Sequence, residues 1–183
     1  MKKYFSTLLL ILSLFFFSCG EGQETSSGNK TVKKELKTQF GIVKFDESIT
    51  GFKFATMLGD KFLYSLHGPK DINNANPVTG FYFKPINNMD YEKAKDYLQE
   101  FSLGYGEQDG IIKTENIVNK VIDVNKQKAF LITFTVVDDS NKRSYLTQAI
   151  LSNGNNAILF VGSDVDNGEY SEKFLNTFKS LEL

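Results

Sequence analysis

Hydrophobic and polar positions divide the 183-residue chain into three stretches of different texture. Tyr4 to Phe17 is an almost unbroken apolar block behind Lys2 and Lys3, and it stops at Ser18 and Cys19. Residues 20–37, GEGQETSSGNKTVKKELK, are dominated by glycine, serine and charge. Only Val32 and Leu36 there could be buried, too little to offset the ordering entropy, so residues 19–38 read as a tether. At roughly 5–6 Å times the square root of length, such a segment holds a downstream domain about 25 Å from its anchor. Regular apolar periods begin near Gln39, and a single domain is expected over 39–183.

Within that domain, Phe40, Ile42, Val43 and Phe45 predict a first strand. FKFATML and KFLYSLH flank Gly59-Asp60, and a Gly-X pair between apolar runs reads as a β-hairpin. On that reading Phe52, Phe54, Thr56 and Leu58 share one face, as do Phe62, Tyr64 and Leu66. A helix over 54–66 is the competing reading. GPKDINNANP is a turn-rich loop, and VTGFYFKPI is a strand that Pro85 closes. Asp90 is placed to cap a helix from Tyr91 to about Leu103, with Tyr91, Ala94, Leu98 and Phe101 on its apolar stripe.

The glycines of GYGEQDG predict a loop over 104–110. Four strands then follow at 115–124, 128–137, 144–152 and 156–162, joined by the turn sequences NKQK, DDSNK and SNGN. Asp166 and Glu169 resemble a capping box for a last helix whose stripe is Tyr170, Phe174, Phe178 and Leu181. The expected fold is therefore α+β: an antiparallel sheet, hairpin plus four-strand meander, with two amphipathic helices packed on it.

The segment before Gly20 has a basic start, an apolar core of about 14 residues and a small residue before a cleavage point, the layout of an export signal. With Ser18 followed directly by Cys19, it resembles the bacterial lipoprotein signal in the relaxed Bacteroidota form that ends in Ser-Cys. It departs from the common pattern at Phe16 and Phe17, where an aliphatic and then a small residue are usual. The resemblance implies that residues 1–18 are a signal peptide cut between Ser18 and Cys19. The Cys19 thiol would then carry lipid, and palmitate would be among its acyl groups. Glu21 and Glu24 resemble the acidic export signals of surface lipoproteins, so the implied address is the cell envelope, at the outer membrane. A plain secretory signal and a retained membrane helix are the competing readings, and the block is short of the about 20 apolar residues a span needs. Two or more acyl chains hold stably where one does not.

Removing 18 of 183 residues leaves 165, one domain's worth, and losing Lys2 and Lys3 takes the formal charge from −1 to −3. A slightly acidic body with Arg143 as its single arginine gives no footprint for nucleic acid. Cys19 is the only cysteine, so lipidation leaves the mature chain no thiol for a disulfide or for catalysis.

The candidate chemistry is sparse. His67 is the only histidine, and Ser65 nearby lacks the oriented base and oxyanion hole that a nucleophile requires. Asp164, Asp166, Asn167 and Glu169 are oxygen donors in a row, but Gly168 and Leu175 fall where a calcium loop wants other residues, so a turn before the helix is the simpler reading. Gly104, Gly106 and Gly110 are not followed by the Lys-Ser or Lys-Thr of a phosphate loop. Asp138-Asp139 sits in a predicted turn. No metal or cofactor is expected, nor an enzyme. The best interaction candidates are two loops, with Asn73, Asn74 and Asn76 in the first and Tyr105, Glu107 and Asp109 in the second. An aromatic pocket around Phe81, Tyr82 and Phe83 is the alternative.

The element order, and YLTQAILSNGNNAILFVGSDVDNGEYSEKFLNTFKSLEL with Phe178, Ser180 and Leu181 in its closing pattern, is similar to the PsbP-like fold. That resemblance implies a partner-binding surface and carries no functional motif with it. The expectation is a lipid-anchored, non-enzymatic binding or accessory module with a protein partner, such as a subunit of an envelope complex or an immunity-type protein. A small-molecule or glycan binder is the alternative.

Overall fold

The computed structural model describes residues 33–73 and 78–183. Residues 1–32, which hold the expected signal, Ser18, Cys19 and the first part of the expected tether, and the loop residues Asn74 and Asn76 lie outside the described residues. In chain order the strands are β1 (Lys34–Thr38), β2 (Gly41–Phe45), β3 (Lys53–Leu58), β4 (Lys61–Ser65) and β5 (Gly80–Asn87). Helix α1 (Tyr91–Gly106) follows, then β6 (Ile111–Val124), β7 (Gln127–Asp138), β8 (Arg143–Ser152), β9 (Asn156–Asp164) and helix α2 (Ser171–Lys179). Among the described residues no helix is long and apolar enough to cross a membrane.

Seven strands form one antiparallel sheet in the order β3-β4-β5-β9-β8-β7-β6, and β1 pairs with β2 in a separate hairpin. The expected hairpin at Gly59-Asp60 is present, so residues 54–66 are not a helix. The meander is present too. Its first turn puts Asn125 and Lys126 at φ 47° and 68°, the two left-handed residues that a type I′ hairpin needs.

The sheet separates two cores because successive side chains point to opposite faces. On one face α1 sets Ala94 and Leu98 against Phe130, Ile132, Phe134, Leu146, Ile150 and Leu159. On the other, Phe174 and Phe178 of α2, with Leu181 after it, meet Phe81, Phe83, Phe160 and Leu151, and the β1–β2 hairpin adds Leu36, Val43 and Phe45. Each such buried apolar side chain contributes about 1.5–3 kcal/mol relative to exposure. Gly162 lets α2 come close, since a Cβ there would lie 2.6 Å from the Phe174 ring.

Several expectations are corrected. Folded structure begins before Gln39: Leu36 of β1 is 4% exposed, and Lys33 and Glu182 form an ion pair. The backbone bridge between Lys44 and Glu182 fastens the hairpin to the end of the chain. Pro85 does not close its strand, because β5 runs to Asn87. The pairing of β5 with β4 stops at Phe83, so at Pro85 only β9 lies alongside, and the missing N–H is tolerated.

The single-face reading of Phe52, Phe54, Thr56 and Leu58 fails at a register shift between Phe54 and Thr56. Phe52 is buried, while Leu58 is turned outward at 64% exposure. Helix α1 continues through Gly104 and Gly106, so Tyr105 is helical rather than in a loop, while Asp90 caps the helix as expected by accepting from the Lys93 N–H at 3.0 Å. Asp166 is no capping box residue. Helix α2 starts at Ser171, and the Asp164 carboxylate takes the N–H groups of Asp166 at 2.7 Å and Tyr170 at 2.6 Å.

Candidate binding cleft

Helix α1 lies over β7 and β8, which leaves the same side of β3, β4 and β5 free for other cover. A short 3-10 turn at 68–71 walls that area from one end and the last turn of α1 from the other, leaving a cleft of about 580 Å³. Alternation supplies the floor. Phe62 and Tyr64 point into the aromatic core, so Leu63 and Ser65 point to the cleft; Phe81 and Phe83 do the same and leave Tyr82. Val161 and Ser163 of β9 complete the floor, and the bulge in β3 brings Thr56 and Leu58 to the rim. Tyr105 and Ile72 close the ends.

The polar groups in this cleft are few. Asp71, with its side chain 8% exposed, accepts from the His67 backbone N–H at 3.0 Å and lies 3.2 Å from the His67 ring Nδ1. The His67 N–H is the main reason its carboxyl is held below the usual range; burial opposes this, and the Ser65 hydroxyl and the imidazole assist. Ser65 Oγ also lies 3.1 Å from the Gly68 carbonyl, so its single proton serves the turn. Gly68 occupies a position that only glycine suits: φ is +64°, and a Cβ would meet that of Lys53 at 2.9 Å.

Ser65, His67 and Asp71 are thus a turn lock, with the imidazole 65% exposed and the serine turned toward Gly68 and Asp71. The order of contacts is not that of a nucleophile relay, in which the base must hold the serine. Burial pushes the Tyr82 phenol up, with Tyr105, Tyr97 and Asp60 adding to the effect. Burial raises Tyr105 as well, against a hydrogen bond with Ser163. Both phenols are therefore neutral donors at ordinary pH. Lys61 Nζ stands 5.0 Å from the Tyr82 ring centre, a cation against an aromatic face. The surface is apolar and aromatic with neutral hydroxyls, suited to holding a ligand or a partner side chain.

The sequence candidates scatter around this cleft. Tyr105 lines it, and Asn73 is exposed in the turn just after Ile72. Of the described loop candidates only Tyr105 lines the cleft; at its other end the lining residue is Ile72, next to Asn73. Glu107 follows α1 and lines a different groove, beside β6, and Asp109 is exposed in the turn into β6. Of the pocket expected around Phe81, Tyr82 and Phe83, Phe81 and Tyr82 line the cleft and Phe83 does not; the rings of Phe81 and Phe83 meet edge to face in the aromatic core, 5.5 Å apart. Sequence reasoning missed Leu63, Ile72, Val161 and Ser163, which are brought together from three separate segments.

Asp164 and Asp166 serve the turn before α2, with Asp166 accepting from the Thr79 hydroxyl at 2.5 Å. Among the described residues no three His, Cys, Asp or Glu side chains group together to hold a metal ion.

No family model matches the chain, and no curated protein matches it in sequence. Solved structures do. Mog1p, a Ran-binding protein of Saccharomyces cerevisiae, aligns at TM-score 0.53 and 9% identity over 84% of this chain and 96% of that one. A Bacteroides thetaiotaomicron protein aligns at TM-score 0.50 and 11% identity over 81% of this chain, which spans only 47% of that protein. Cyanobacterial PsbP (CyanoP) from Synechocystis aligns at TM-score 0.47 and 13% identity over 87% of this chain and 98% of that one. At these identities the likeness is one of fold: the chain shares the antiparallel α+β fold of Mog1p.

Proposed function

We propose that this chain is a lipid-anchored binding or accessory module of a bacterial cell envelope, held at the outer membrane through Cys19, which binds a protein partner at the cleft between β3 and α1. One observation carries the reading. The rim of the cleft leaves Leu58 64% and Ile72 49% exposed beside a floor of Leu63, Tyr82 and Val161. Apolar side chains held in water next to a concave apolar surface are a common mark of an interaction site. The similar fold of Mog1p, a Ran-binding protein, gives a precedent for partner binding on this scaffold. The Ser-Cys signal supports the anchor.

The test has two arms. Radiolabelled palmitate should enter the chain and be lost in Cys19→Ala; labelling that survives the substitution removes the anchor. Affinity capture from solubilised envelopes should return one specific partner, and repeated capture of nothing above background removes the module reading. A second reading rests on the neutral phenols of Tyr82 and Tyr105 in the same cleft: an uncharged small molecule or glycan would pair with them. Thermal-shift screening against glycans and lipophilic compounds separates the two, since only that reading expects a shift without protein.

A further inference from the structure

Strand β6 ends the large sheet, and among the described residues only β7 pairs with it. It is 14 residues long. Asn116 at φ 54° and Asn125 at φ 47° bound a straight stretch over 117–124. Natural edges are commonly kept short, charged or covered. The other edge strand, β3, has the 68–71 turn packed against it. On β6 Ile117 is 59% and Val121 53% exposed, and Val118 and Leu103 of α1 are exposed as well.

The side chains of this stretch fall on two faces. Asn119 and Val121 lie opposite Ile132 and Phe130, which pack under α1, and Ile117 and Asn119 share a groove there with Leu103. Val118 and Lys120 lie on the α2 side, in a mainly apolar groove with Leu131 and Leu175. A second copy that continues the sheet about a two-fold axis runs its β6 antiparallel to the first. Each residue must then meet one from the same face, so the axis passes through a single residue. At Val118 it draws the left-handed Asn116 into the pairing. At Lys120 it sets like charges directly opposite, which destabilises. At Val121 or beyond, Ile117 meets Asn125 or later turn residues and stays uncovered. At Asn119 it pairs Ile117 with Val121 on both sides of the axis, sets Val118 against the Lys120 stem and joins two amides.

We propose that β6 is the interface of a symmetric dimer, paired with β6 of a second copy about an axis at Asn119. The exposed β-branched side chains of the edge complement themselves in that register, and no like charges face each other. The sheet then runs on through both copies, with the cleft over β3, β4 and β5 at each far end. One dimer therefore presents two clefts, and a partner with two matching sites gains from both. The pairing itself does not depend on what the clefts hold.

The test uses the full chain in detergent, with the parent chain and its Cys19 as the baseline. Two residues at position 119 have Cα atoms about 5 Å apart across the axis, within disulfide reach, whereas two at position 121 lie about 14 Å apart. Under mild oxidation Asn119→Cys should therefore form a linked dimer at least about tenfold faster than Val121→Cys. Sedimentation should show the parent chain dimerising and Ile117→Lys staying monomeric at the same concentrations. Equal cross-linking of the two cysteine variants overturns the proposal, as does faster cross-linking of Val121→Cys. So does a parent chain that stays monomeric up to about 1 mM. A dimer that Ile117→Lys leaves intact also overturns it, by placing the contact elsewhere.

Discussion

Ser102 and Gln148 meet at a point where one proton cannot serve both contacts. Ser102 Oγ lies 2.8 Å from the Leu98 carbonyl and 2.5 Å from the Gln148 side-chain oxygen. A serine has one O–H, and the shorter contact takes it: the hydroxyl donates to the Gln148 side-chain oxygen at a distance that suits O–H···O and is too short for N–H···O. Gln148 is fully buried between α1 and the sheet, and its other amide atom has no partner among the described residues.

An unsatisfied buried polar atom costs about 1–3 kcal/mol, and an apolar side chain of similar shape removes that cost. Gln148→Met should therefore raise the unfolding free energy by about 1 kcal/mol in urea denaturation. A loss of stability of that size would show that the amide's bonds are completed by a buried water.

The turn lock at Asp71 gives the domain an acid limit. Its carboxyl sits below the ordinary value of 3.8, mainly through the His67 backbone N–H. A carboxyl depressed in the folded state adds stability that is present above its unfolded value and is lost as pH falls through the folded value. Asp71→Asn should flatten this part of the profile. Unfolding curves for the two proteins should differ at about pH 6 and draw together toward about pH 2. A constant difference across that range would mean that the ionised form of Asp71 carries no special stability.

Much of the fold was legible because its signals were local. Asn125 and Lys126 sit in a turn between two alternating runs, Asp90 precedes an amphipathic run, and Phe174, Phe178 and Leu181 mark one side of a helix. Each of these signals lies within one element. The misreadings come from places where distant contacts decide. KELKT has a single apolar side chain, and it becomes a strand because Leu36 reaches the aromatic core while Lys44 and Glu182 pair their backbones. Asp166 has the spacing of a helix cap, yet Thr79 from a remote segment takes it. The cleft was illegible for the same reason. Leu58, Ile72, Tyr105 and Val161 share no local pattern, and the bulge before Thr56 reverses the alternation that would have placed Leu58.

The correction at Leu36 can be tested directly. A tether residue tolerates truncation at no cost, whereas a leucine buried in a core loses about 2–3 kcal/mol on truncation to alanine. Leu36→Ala should show that loss by urea or thermal unfolding, and Glu35→Ala on the exposed side of the same strand should fall within about 0.5 kcal/mol of the parent. Equal effects would mean that β1 does not belong to the folding unit.

The cleft makes a sharper demand, because its rim residues should matter for binding and hardly at all for folding. Leu58 and Met57 are neighbours on β3, both exposed, at 64% and 53%. Alternation sends them to opposite faces, so Leu58 lines the cleft and Met57 does not. Lysine at an exposed position changes stability by no more than about 0.5 kcal/mol. A charge placed on an apolar docking rim must be desolvated when a partner arrives, at a cost of several kcal/mol if it is left unpaired. Leu58→Lys and Ile72→Lys should therefore unfold like the parent chain yet fail to retain the captured partner, while Met57→Lys retains it. If Met57→Lys loses the partner equally, the binding surface is the β3 edge as a whole. If all three retain it, the partner does not use this cleft.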